Sequence, residues 1–259
     1  MFKKIMLGTL SILSLTIVSN AHAGVLYFSE DDNANGLYTL NTTTGAATNI
    51  GASGVTGATV GLAPSADPTK LYGSTWSNIA STSTDGSGAP IIGSANAEAL
   101  AYNPNTNTLY GGINGSFFSI SSGDFSALTP LSAPGTDIEG LAYGGGNIIY
   151  GLSGANRNLY SYDIINDLWT LIGDTLIDFD QSGLAYDIEN GILYAVGNQD
   201  SWLYSLDTTT AQATRIGDTG IQNGGGLAFV AMTTVPEPAP LALLGLGLFG
   251  LGLARKRRS

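Results

Sequence analysis

Residues Gly183 to Gly217 read GLAYDIENGILYAVGNQDSWLYSLDTTTAQATRIG. Gly183-Leu-Ala-Tyr186 predicts a first short strand. Glu189-Asn190-Gly191 turns the chain, and the Asn-Gly pair predicts a type I′ hairpin, because both residues tolerate positive φ. Ile192 to Val196 reads as a second strand and Trp202 to Leu206 as a third, joined by the loop Gly197 to Ser201. Asp207 to Thr210 turns again, and Ala213 to Ile216 is a fourth strand. Apolar residues fall on both faces of these strands. A sheet with one face in water would alternate instead, so each face must be covered. Four short antiparallel strands in about 42 residues predict a β-propeller blade packed between two others.

The unit recurs along the chain. Its Leu-Ala element returns as Gly61-Leu62-Ala63, Ala99-Leu100-Ala101, Gly140-Leu141-Ala142, Gly183-Leu184-Ala185 and Gly226-Leu227-Ala228, with Tyr102, Tyr143, Tyr186 or Phe229 following in four of the five. An apolar-Gly pair that reads as a stop returns at Ile50-Gly51, Ile92-Gly93, Ile172-Gly173 and Ile216-Gly217, with Leu131-Ser132 as a worn copy. Apolar-Tyr pairs lie between them, as at Leu109-Tyr110 and Leu193-Tyr194. The segment Trp76 to Ser83 lacks such a pair, so the second unit is the poorest match.

The ends of the repeat array are complementary. The chain begins at Val25 to Phe28 with a second-strand pattern, and Leu227 to Val230 is a first strand with nothing after it. Pairing the two closes a ring and removes exposed edges. The predicted fold is therefore all-β: a five-bladed propeller of four-stranded blades closed by the C-terminal strand. Blade one is 227–230 plus 25–51, and the others are 60–93, 99–132, 140–173 and 183–217. An open β-sandwich or a β-solenoid has the same strand count.

Composition narrows the chemistry. The chain has 259 residues, 36 Gly, no Cys and one His, His22. Without Cys there is no disulfide framework, thiolate metal site or Cys nucleophile. Between Gly24 and Thr234 the cations are Lys70, Arg157 and Arg215 against 19 acids, a formal charge of −16. Such a surface repels nucleic acid and anionic membranes and attracts divalent cations or basic partners. It also simply keeps a Gly-rich domain soluble.

Both termini read as addresses. Lys3 and Lys4, the apolar run Ile5 to Val18 and the small residues Ala21 and Ala23 form a secretory signal peptide over 1–23, expected as a signal helix cleaved after Ala23. His22 leaves with it, and with it any Ser-His-Asp triad or His-ligated zinc. At the other end Val235-Pro236-Glu237-Pro238 precedes an apolar run, Ala239 to Ala254, and then Arg255, Lys256, Arg257 and Arg258. The prolines leave an extended, accessible peptide. Sixteen helical residues span roughly 24 Å, and snorkelling arginines extend that towards a hydrocarbon core of about 30 Å. The basic cluster is a membrane stop on the cytoplasmic side. The division is 1–23 signal peptide, 24–232 ectodomain and 233–259 tail with a transmembrane helix.

Pro-Glu-Pro, a Leu/Gly-rich apolar helix and a terminal Arg cluster, in that order, resemble the PEP-CTERM sorting domain of Gram-negative bacteria. The resemblance covers Val235 to Ser259. It implies export through the secretion machinery, a membrane-anchored intermediate, recognition of Val235, Pro236, Glu237 and Pro238 by an exosortase-type membrane protease, and a destination at the outer surface or in an exopolysaccharide or biofilm matrix. It implies nothing about the domain between the two ends.

Residues just before each Leu-Ala strand should approach one mouth of the central channel. Four positions before the repeat Leu stand Ala58, Asn96, Asp137, Asp180 and Asn223, and two before stand Val60, Glu98, Glu139, Ser182 and Gly225. Oxygen ligands from several blades suit Ca²⁺, with Asn96, Glu98, Asp137, Glu139, Asp180 and Asn223 as candidates. Propeller lactonases are similar in setting Glu, Asp and Asn around a metal. The alternative is a solvated rim whose short polar groups cap backbone amides. Asp31, Asn33, Asn35 and Gly36 match the start of a calcium loop, but Thr42 stands where its twelfth-position acid belongs. Gly144-Gly145-Gly146 and Gly224-Gly225-Gly226 open no helix and bring no Lys, so they read as turns and close strand approaches. No nucleophile–base pair is visible. The expectation is a non-catalytic binding or structural protein, against a Ca²⁺-dependent hydrolase or lyase, or a platform for another surface protein.

Overall fold

The structure, a computed structural model, describes residues 24–31, 36–51 and 59–231. The signal segment, the tail from residue 232 and the helices expected there lie outside the described residues. Within them are five four-stranded antiparallel sheets. Blade one holds β1 (Val25–Glu30), β2 (Leu37–Leu40) and β3 (Ala47–Gly51). Blade two is β4 (Gly61–Pro64), β5 (Lys70–Ser74), β6 (Ile79–Ser83) and β7 (Ile91–Gly93). Blade three is β8 (Ala99–Asn103), β9 (Thr108–Ile113), β10 (Ser116–Ser121) and β11 (Asp124–Pro130). Blade four is β12 (Gly140–Gly145), β13 (Ile148–Ser153), β14 (Asn158–Asp163) and β15 (Leu168–Asp174). Blade five is β16 (Gly183–Asp187), β17 (Ile192–Val196), β18 (Trp202–Leu206) and β19 (Ala213–Asp218).

The last strand, β20 (Gly224–Val230), belongs to blade one. It pairs with β1 in the register Val25↔Val230, Leu26↔Phe229, Tyr27↔Ala228, Phe28↔Leu227. The inner strands neighbour one another in the cycle β4, β8, β12, β16, β20 and back to β4, so the ring is closed. The closing strand starts at Gly224, three residues earlier than its Leu-Ala signal suggests. Blade two forms despite its weak pattern, because Ile79 and Ala80 are fully buried where the Leu-Tyr pair is missing.

Both faces of each blade are covered, and apolar clusters fill the spaces between blades. One joins blades four and five through Leu152, Leu159, Leu184, Leu193 and Tyr204. Another joins blades five and one through Val196, Leu203, Leu26 and Phe28. Burial at about 25 cal/mol per Å² of apolar surface makes these seams the main source of stability.

One detail differs from the sequence reading and another adds to it. The turn after β16 is not type I′. Asp187 Oδ1 accepts from the amides of Glu189 and Asn190, both at 3.1 Å, Gly191 N donates to Asp187 O, and positive φ occurs at Gly191 but not at Asn190. An Asx side chain heads the turn, as Asn41 and Asp207 do elsewhere. The Ile-Gly pairs do mark the ends of the outer strands, which stop at Gly51 and Gly93 or one residue beyond Gly173 and Gly217, and each pair also carries a β-bulge. Leu203 pairs with Gly217 and Tyr204 with Arg215, which leaves Ile216 as the extra residue. Ile50, Ile92 and Ile172 are skipped in the same way. A Cβ on Gly217 would collide with the backbone of Thr44 in the neighbouring blade.

Candidate functional site

The inner strands all run the same way along the channel, so one mouth collects the residues before them and the other the residues after them. The first mouth is acidic. Glu98 and Glu139 are buried, while Asp137 and Asp180 are half-buried and Asn96 is exposed. Glu98 is pushed up to about 8, first by burial and then by the charges of Asp137, Glu139, Asp31 and Asp180. Glu139 is raised to about 7 by burial, although hydrogen bonds from the amides of Gln181 and Gly154 pull the other way. The structure thus gathers Asp31, Glu98, Asp137, Glu139 and Asp180 into one electrostatic group.

Several of these side chains already have structural work. Glu139 Oε2 accepts from Gln181 N at 2.7 Å, tying blade four to the start of blade five. Asp137 Oδ1 accepts from Gly115 N at 2.9 Å, tying blade four back to the β9–β10 turn. Asp180 Oδ2 accepts from Gln199 Nε2 at 3.2 Å. Asn223 has a positive φ, and its carbonyl accepts from Asp31 N. Ser182 stands where Glu98 and Glu139 stand, and its buried hydroxyl has no hydrogen-bond partner among the described residues. Among the described residues no three acidic or His side chains are grouped closely enough to hold a metal ion. Ala58 and residues 32–35 of the calcium-loop match lie outside the described residues, and Thr42 sits in the separate β2–β3 turn.

The second mouth is apolar, and the sequence reading did not single it out. A cavity of about 280 Å³ opens there, and no charged side chain lines it. Its wall is the repeat itself: the five Leu-Ala pairs, then a collar of Pro64, Tyr102, Tyr143, Tyr186 and Phe229. Two tyrosine hydroxyls are turned to other partners: Tyr102 donates to Asn107 Oδ1 at 2.8 Å, and Tyr143 donates to the Gly146 carbonyl at 2.9 Å. Ile188, 54% exposed, stands at the rim. Val230 and Ala231, the last described residues, also line this cavity. The signal was in the sequence as the aromatic after four of the five Leu-Ala pairs.

The chain therefore leaves the ring at the apolar mouth and runs directly into the Pro-Glu-Pro segment. The family model described as PEP-CTERM protein-sorting motif matches residues 234–258. The chain carries a PEP-CTERM sorting motif. The motif implies recognition by an exosortase and delivery to the surface or extracellular space. No curated protein matches the chain. Among solved structures, one chain from the crystal structure of a nidogen/laminin complex is similar in fold, with a TM-score of 0.56 and 10% identity over 82% of this chain and 100% of that one. A structural genomics protein of unknown function from Bacteroides thetaiotaomicron VPI-5482 has 13% identity and a TM-score of 0.45 over 74% of this chain and 50% of its own. The first likeness concerns the fold alone.

Proposed function

We propose that this is an exported surface or extracellular protein whose propeller has a binding or structural role, in an exopolysaccharide or biofilm matrix, rather than a catalytic one. One observation carries the reading: the PEP-CTERM match begins at residue 234, four residues after the ring-closing strand ends at Val230. Domain and tail are thus consecutive. Residues 1–23 serve as signal peptide, 24–232 as ectodomain and 233–259 as sorting tail. An exosortase reads Val235, Pro236, Glu237 and Pro238, while Arg255, Lys256, Arg257 and Arg258 hold a membrane-anchored intermediate from the cytoplasmic side. The absence of His and Cys after Ala23 supports the non-catalytic role. Deleting 235–259 should leave the domain in the periplasm of an exosortase-bearing host, as followed by surface labelling and fractionation. Unchanged surface delivery would overturn the sorting reading.

Buried Glu98, set among four other carboxylates, favours a second reading, a Ca²⁺-dependent hydrolase or lyase at the acidic mouth. Calorimetric titration with Ca²⁺ decides it. Binding heat that Asp137→Ala and Asp180→Ala abolish would support it, and no heat in the parent protein would remove it.

A further inference from the structure

Both targeting ends attach at the same mouth. Val25 pairs with Val230, and a Cβ on Gly24 would run into the ring of Phe229, a collar residue of the apolar mouth. Ala231 lines that cavity. We propose that while the chain is anchored its apolar mouth is a membrane-facing surface, seated on the headgroup region of a zwitterionic bilayer, with the acidic mouth turned outward. The proposal rests on the sorting-tail reading above.

Tether length restricts the geometry. The apolar run begins at Ala239, eight residues past Ala231, and eight extended residues span at most about 26–29 Å. The signal run ends at Val18, six residues before Gly24, a span of at most about 20–22 Å. Before signal cleavage and after it, the mouth nearer the lipid is the one from which the chain emerges.

The chemistry of the two mouths agrees with this orientation. The apolar mouth offers aromatic rings, prolines and Ile188, groups that suit a membrane interface, and lines its cavity with no charged side chain. Asp187 and Glu189 flank Ile188, which favours zwitterionic over anionic lipid. The opposite mouth concentrates Asp31, Glu98, Asp137, Glu139 and Asp180, which gain nothing from approaching a bilayer.

The chain has no Cys, so single labelled thiols report position cleanly. The full chain is reconstituted into phosphatidylcholine vesicles with a fluorophore at Ile188→Cys, Asn96→Cys or Leu168→Cys. These sit at the apolar mouth, the acidic mouth and the outer edge of blade four, and all three native residues are exposed. Energy transfer to a headgroup-labelled lipid should be several-fold stronger from position 188 than from position 96, and position 168, level with the apolar mouth through the pairs Gly145↔Ile148, Ile148↔Asp163 and Asp163↔Leu168, should follow position 188. Equal transfer from all three positions means a freely tumbling domain and overturns the proposal, as does stronger transfer from position 96. If the chain does not partition into vesicles at all, the anchoring reading fails first and takes the orientation with it.

Discussion

The two mouths of the channel are built from the same repeat and differ in almost every physical respect. At the apolar mouth each blade contributes the same Leu-Ala pair, and the leucines are buried to within 1–2%. At the acidic mouth the equivalent positions vary from blade to blade: Glu98, Glu139, Ser182, Gly225 and Val60. Regularity marks the positions that must pack, because each inner strand meets two neighbours at close quarters. Variation marks the positions free to carry charge. The lesson is that the repeat reports the scaffold, whereas the departures from it report where one blade of this chain differs from the next.

That contrast can be strained from either side. The largest effect is expected at the regular mouth. Leu184→Ala removes a side chain that is 2% exposed in the seam between blades four and five. It should cost about 2–5 kcal/mol in urea unfolding, and a loss well under 1 kcal/mol would mean that the ring is not closely packed there.

A smaller effect, with a distinctive pH signature, is expected at the acidic mouth. Glu98 is raised from 4.5 to about 8, so the fold binds its proton more tightly than the unfolded chain does. Its stabilising contribution is full below pH 4.5 and is lost as pH rises through about 8. Glu139, raised to about 7, acts in the same direction over a narrower window. Glu98→Gln keeps the shape and removes the titration. It should therefore flatten the fall in stability across that window and leave the variant more stable than the parent at pH 8, by an amount on the order of 1 kcal/mol or a little more after partial solvent screening. Parallel pH profiles for parent and variant would show that Glu98 is not held as the neutral acid.

Much of the ring was legible because it depends on local pattern. The Leu-Ala spacing located all five inner strands, and the mismatched ends of the array foretold the pairing of β1 with β20. What was not legible depends on contacts between blades. Ile216-Gly217 reads as a strand terminus in sequence, and β19 does end one residue later, at Asp218. Only beside the Thr44 turn of blade one does it become clear that the glycine gives room to a neighbour and that the isoleucine is a bulge. Leu131-Ser132 departs from the pattern where blade three lacks that bulge. Asn190-Gly191 misled because Asp187 heads the turn and supplies the hydrogen bonds that a type I′ turn does not need. At the acidic mouth the carboxylates could be read from their spacing, but not the attachment of Glu139 to Gln181 N, 42 positions away. The apolar cavity escaped because its lining residues look like ordinary core until the ring leaves them facing one another across open space.

The central claim is that β20 closes the ring against β1 and so brings both ends of the propeller to one mouth. Native-state hydrogen exchange measures this most directly. The amides of Leu227, Ala228 and Phe229 should be as protected as those of Leu184, Ala185 and Tyr186, their counterparts in blade five, and should open only with the whole domain. Rapid exchange confined to 224–230, with the other inner strands protected, would show an unclosed ring and contradict the claim.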